Sequence, residues 1–144
     1  MKTLLNILLA LTVAVSPAPA DANVKAGPRK GRVLAMQGKN AEFLVEKDRT
    51  VSIAFYDAAM KAHAPTSEAV TITAEAPSGK AKLEFEKKGK LLVSKTPLPA
   101  GENYTVVVHV KATADAKPGN FRIPLNLSLC KPCGNAEYAC TCDE

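Results

Sequence analysis

The sequence has no tryptophan, 5% aromatic residues, two histidines and no cysteine before Cys130. Apolar residues at helical spacing are almost absent, which argues against an α-helical domain. No G-x-S-x-G, phosphate-cradling glycine loop or H-E-x-x-H occurs, and no Ser-His-Asp grouping has a recognisable neighbourhood. The expectation is a protein that is not an enzyme. The net charge of +5 comes from scattered lysines (Lys80, Lys82, Lys87, Lys88, Lys90, Lys95) and a short basic run, KAGPRKGR, at 25–32. No aromatic residues are interleaved with them, so they read as a solvated surface and no nucleic-acid partner is expected.

The one long apolar run is N-terminal. MKTLLNILLALTVAVSPAPA carries Lys2, an apolar stretch from Leu4 to Val15, and the small-residue sequence Ala18-Pro19-Ala20. Such a run is shorter than the roughly 20 residues of a membrane span and has the layout of a cleavable export signal. Residues 1–20 are therefore expected to be removed, leaving a periplasmic or secreted chain without a membrane span. No cysteine follows the run to carry a lipid.

Period-2 alternation dominates the rest. VSIAFY sets Val51, Ile53 and Phe55 on one face, and AVTITAEA does the same with Val70, Ile72 and Ala74. KAKLEFEK places Leu83 and Phe85 between charges. NYTVVVHVKA aligns Tyr104, Val106, Val108 and Val110, and NFRIPLNLSL aligns Phe121, Ile123, Leu125, Leu127 and Leu129. These are half-buried antiparallel strands, separated by Gly-, Pro-, Asn- and Asp-rich turns. Eight or nine strands are expected over residues 33–129. An unpaired, flexible leader is expected at 21–32, and a cysteine-rich tail continuous with the domain at 130–144. Pro124 suits an edge strand or a bulge, because proline cannot donate to the ladder.

LPAGENY (Leu98 to Tyr104) resembles the Leu-x-Pro-Gly-x-x-Tyr corner of fibronectin type III and other immunoglobulin-like domains. That resemblance implies a tyrosine hydrogen-bonded back over the turn between two sheets. The fold class expected is thus all-β, an immunoglobulin-like antiparallel β-sandwich with a Cys-rich C-terminal hairpin. The stretch from Met36 to Lys111 is similar in strand rhythm to the small β-sandwich segment of heavy-metal efflux adaptor proteins. That likeness implies a periplasmic role in metal homeostasis, although no His- or Met-rich stretch accompanies it. KPGNFRIPLNLSLCKPC (Lys117 to Cys133) is similar to the end of the immunoglobulin-like domain of periplasmic thiol-disulfide reductases, but the Cys-x-Cys ending departs from that pattern.

The chemistry-bearing feature is CKPCGNAEYACTCDE, a C-x2-C-x6-C-x-C array of Cys130, Cys133, Cys140 and Cys142. A tight turn brings Cys130 and Cys133 together, and an extended chain points Cys140 and Cys142 to one side. Folding 137–142 back on 123–130 gathers four thiolates, a donor set for zinc or monovalent copper. An exported chain with four cysteines equally suits two disulfides. Cys140–Cys142 would close a strained ring, so pairs between the two halves are expected in that case. A C-x-P-C oxidoreductase is the third reading, but no helix follows Cys133 to activate a thiol. The partners are accordingly a metal ion or a periplasmic protein. His109 is expected on the outer face of its strand. His63 and Met60 are expected to be an ordinary loop histidine and a packing methionine.

Overall fold

The computed structural model describes residues 24–142. The export signal read at 1–20 lies outside the described residues. Among the described residues ten strands follow in chain order: β1 (Arg32–Met36), β2 (Lys39–Val45), β3 (Val51–Asp57), β4 (Ala62–His63), β5 (Ala69–Ala76), β6 (Gly79–Leu83), β7 (Phe85–Lys88), β8 (Leu91–Ser94), β9 (Tyr104–Lys111) and β10 (Gly119–Leu125). All pair antiparallel in two sheets. One has the order β1-β2-β3-β8-β7, with β4 also on β3, and the other the order β10-β9-β5-β6. Among the described residues no helix is long and apolar enough to cross a membrane.

The alternation in β9 does what its sequence dictates. Tyr104, Val106, Val108 and Val110 are buried, while Thr105, Val107, His109 and Lys111 stay partly exposed. The buried set meets Leu34, Phe43, Ile53 and Phe55 of the other sheet in one apolar cluster. Each fully buried side chain of this size contributes roughly 1.5–3 kcal/mol. β10 is an edge strand, which accommodates Pro124.

Four local expectations change. KAKLEFEK is two strands, because the chain leaves β6 after Leu83 and joins β8 from Phe85, with the Glu84 carbonyl accepting from Lys95 N–H at 2.9 Å. Leu83 and Phe85 still reach the shared core, one from each sheet. Alternation cannot distinguish a strand that continues from one that crosses over, since both keep the apolar side inward. β10 stops at Leu125, four residues earlier than the alternation suggests, and Leu129 is 71% exposed. β3 is buried on both faces, with Ser52, Ala54 and Tyr56 covered as well as Val51, Ile53 and Phe55.

The cover on that outer face comes from the basic run expected to be an unpaired leader. Lys25 accepts from Val33 N–H at 2.8 Å, and Ala26 bridges Arg32. The carboxylate of Glu42, fully buried, accepts from Arg29 N–H (2.9 Å), Gly31 N–H (2.8 Å) and the Tyr56 hydroxyl (2.6 Å). The Arg29 guanidinium spans Glu46 and Ser52. A buried carboxylate needs such donors, so Glu42 organises the segment that precedes β1.

At the corner before β9, the Tyr104 hydroxyl donates to the Pro99 carbonyl at 2.9 Å. The Arg49 guanidinium donates to the carbonyls of Pro99 and Gly101, the latter at 2.7 Å. The turn aspartates serve their own backbone: Asp48 accepts from Thr50, and Asp57 from Ala59 and Lys61.

Candidate metal centre

Beyond Leu125 the chain reverses. Leu129 bridges Ala136 antiparallel, Cys130 N–H donates to Asn135 O at 2.8 Å, and Gly134 N–H donates to Cys130 O at 2.8 Å. Gly134 has φ +71°, a left-handed conformation that glycine takes at no steric cost. It closes the Cys130–Cys133 turn and sends the N–H of Asn135 back toward Cys133. The returning strand is pinned by Glu137 N–H on Ser128 O (2.9 Å) and Tyr138 N–H on Asn126 O (3.2 Å). A 3-10 turn, Glu137–Ala139, then delivers Cys140 and Cys142.

The four expected residues come together. The sulfurs of Cys130, Cys133, Cys140 and Cys142 all lie within 4.8 Å of one another, and among the described residues this is the one such group of metal donors. Cys130 and Cys142 are 3.7 Å apart, Cys133 and Cys140 3.8 Å, and Cys130 and Cys140 2.8 Å. None is at the roughly 2.05 Å of a disulfide. Cys130 is buried and the other three are partly exposed; Cys130, Cys140 and Cys142 line an open depression that Leu129, Lys131, Pro132 and Glu137 complete. The arrangement can hold a metal ion.

Cys130, Cys133 and Cys142 are shifted in different directions from the ordinary thiol. The N–H of Asn135 is the main influence on Cys133; joined by the N–H of Thr141 and by neighbouring thiols, it overcomes burial and lowers that thiol to about 6. Cys130 is raised, chiefly by its hydrogen bond with Cys140. Cys142 is raised by its hydrogen bond with Cys133. Cys133 is thus prepared to be a thiolate, while Cys130 and Cys142 hold protons that a bound cation would displace.

Neither histidine joins the group. His109 lies on the outer face of β9 and shares a hydrogen bond with Asn120. His63 Nδ1 faces the Ala64 carbonyl at 3.0 Å, its ring 6.3 Å from that of Phe55. Met60 is 38% exposed with φ +61°.

One contributor was not singled out from the sequence. Tyr138 is buried, its ring edge-on to Phe43 at 5.5 Å, and its hydroxyl accepts from Val45 N–H at 3.0 Å. Ala139 beside it is fully buried. The only hint in the sequence is an aromatic residue between two cysteine pairs in an otherwise polar tail.

Compared with known proteins, the chain matches no family model, no curated protein and no solved structure.

Proposed function

We propose that this is an exported binding protein, not an enzyme, whose immunoglobulin-like sandwich carries one soft metal ion on Cys130, Cys133, Cys140 and Cys142. The observation that carries the reading is the convergence of four sulfurs within 4.8 Å of one another. Zinc bound to sulfur at about 2.3 Å gives tetrahedral edges of about 3.8 Å. The Cys130–Cys142 and Cys133–Cys140 separations of 3.7 and 3.8 Å match that edge, and the 2.8 Å pair has only to open. Monovalent copper takes the same soft donors.

Two features support the immunoglobulin-like assignment. Naming β2, β3, β5, β7, β8, β9 and β10 as strands A to G turns the sheet orders β2-β3-β8-β7 and β10-β9-β5 into ABED and GFC. Tyr104 opens the strand that would be F and bonds back over its corner. Export rests on the residue pattern at 1–20.

The test is metal stoichiometry under reducing conditions, by native mass spectrometry of the mature protein with added zinc or copper(I). One ion per chain, lost in Cys133→Ser, is the expected result. Full metal content in that variant would sink the four-ligand site.

The 2.8 Å approach of Cys130 and Cys140 favours a second reading, a disulfide-stapled interaction module. Protein from the exported fraction, prepared without reductant, would then be lighter by four hydrogens and carry no ion.

A further inference from the structure

The segment that presents Cys140 and Cys142 is not held by the sulfurs alone. Tyr138, two residues before Cys140, sits in the apolar core edge-on to Phe43 and accepts the N–H of Val45, the last residue of β2. Cys140 N–H closes on Glu137 O at 3.1 Å, so the same short turn that seats the tyrosine sets the start of the Cys-x-Cys pair. On the other side, Cys130 follows directly from the stretch whose Asn126 and Ser128 carbonyls receive Tyr138 and Glu137. The cysteine cluster and the tyrosine therefore occupy two ends of one small hydrogen-bonded unit, one facing solvent and the other facing the core.

Resting on the metal-centre reading, we propose that Tyr138 is the positioning residue of that centre, and that an ion on the four sulfurs and the tyrosine in the core each hold the other in place. The coupling is reciprocal by thermodynamic necessity. If the seated tyrosine strengthens ion binding, the bound ion strengthens the seating of the tyrosine by the same factor. The ring has to be in the core for Cys140 and Cys142 to stand opposite Cys130 and Cys133. Without the ion, the four sulfurs offer one another only weak thiol hydrogen bonds, and the 137–142 segment lifts more readily against its remaining bonds to Asn126, Ser128 and Val45. Lifting it uncovers Phe43 and exposes the Val45 N–H to water. Removal of the ion is thereby reported inside the sandwich, at a backbone group of β2.

Two measurements test this. The first is cobalt(II) titration under reductant, read by the absorption bands of a tetrahedral thiolate complex. Tyr138→Ala is expected to weaken cobalt binding about 10- to 100-fold and to broaden the bands, as loss of an outer support for a ligand does. Tyr138→Phe keeps the ring, and is expected to restore most of the affinity and the native spectrum. Equal affinity and an identical spectrum in Tyr138→Ala would overturn the proposal.

The second uses the unaltered protein, in case the alanine variant does not fold. Hydrogen exchange is followed at the Val45 amide with zinc bound and after chelation under reductant, with Val108 as the internal control in the middle of its sheet. Val45 is expected to lose protection when zinc leaves, and Val108 to keep it. One zinc bound with Val45 unchanged overturns the coupling alone. No zinc bound at all overturns the metal centre and the coupling with it.

Discussion

The sulfurs of Cys130 and Cys140 lie 2.8 Å apart, inside van der Waals contact and outside a covalent bond, whereas Cys133 and Cys140 are separated by 3.8 Å. The two cysteines belong to opposite arms of the tail, and the Cys130–Asn135 hydrogen bond fixes the nearer arm. Metal-free protein exposed to a mild disulfide oxidant is expected to close Cys130–Cys140 first. The check is a comparison of two-cysteine variants. Cys133→Ser/Cys142→Ser should lose two thiol hydrogens faster than Cys130→Ser/Cys142→Ser, by mass spectrometry of quenched samples. Equal rates would mean that the arms move freely before they bond.

Gly134 and Gly31 are sensitive to a methyl group for different reasons. A Cβ on Gly134 meets nothing within 4 Å, but the residue sits at φ +71°, so Gly134→Ala is expected to cost about 1 kcal/mol in stability. It should also weaken metal binding, because Asn135 N–H would no longer aim at Cys133. A Cβ on Gly31 would lie 2.4 Å from the Phe43 carbonyl oxygen. Gly31→Ala is expected to cost more than Gly134→Ala while leaving metal affinity unchanged. Urea unfolding and zinc titration of both variants separate the two effects.

Tyr104→Phe removes the hydroxyl that bonds Pro99 and leaves the ring in place. A net loss of about 1 kcal/mol is expected, because Arg49 continues to donate to the same carbonyl and to that of Gly101. Arg49→Ala should cost more, since the corner then loses several charge-assisted bonds. Denaturant midpoints check the order, and a Tyr104→Phe protein less stable than Arg49→Ala would contradict it.

Glu68 sets an acid limit. Burial raises its pKa, but the Lys39 ammonium at 2.7 Å and the N–H groups of Thr66 and Ser67 reverse that and hold the carboxyl down to about 2. Its folded pKa is below the ordinary value of 4.5, so the stabilisation is full above pH 4.5 and lost as pH falls toward 2. The amount at neutral pH is up to about 3 kcal/mol. Glu68→Gln should lower stability at pH 7 and flatten its fall between pH 5 and 2. Parallel curves for the two proteins would show that other groups carry the acid limb.

Much of this was legible in the residues. β9 and β5 alternate because one face meets the core and the other water, and the C-x2-C-x6-C-x-C spacing by itself lets four sulfurs converge. Other parts were hidden for physical reasons. The crossing at Glu84 leaves the apolar pattern unbroken. Leu127 and Leu129 extend the alternation of β10, but pairing with β9 ends at Tyr104, so Leu129 turns outward. The ordered stretch before β1 has almost no apolar signal, since it is held by a buried carboxylate, and Glu42 looks like any solvated residue of an alternating strand. Tyr138 acts through distant partners, Phe43 and Val45, that no local pattern connects to it.

The hydroxyls of the three tyrosines each occupy a different corner of the molecule: Tyr56 on the Glu42 carboxylate, Tyr104 on Pro99 and Tyr138 under Val45. With no tryptophan to mask them, they make the chain its own set of optical reporters. Burial raises all three above the ordinary phenol value, Tyr56 to about 12 with Glu42 adding to the effect. Replacing one tyrosine at a time by phenylalanine would assign an emission or alkaline absorbance change to the leader, the corner or the tail, so that partial opening of any one region could be seen without a label.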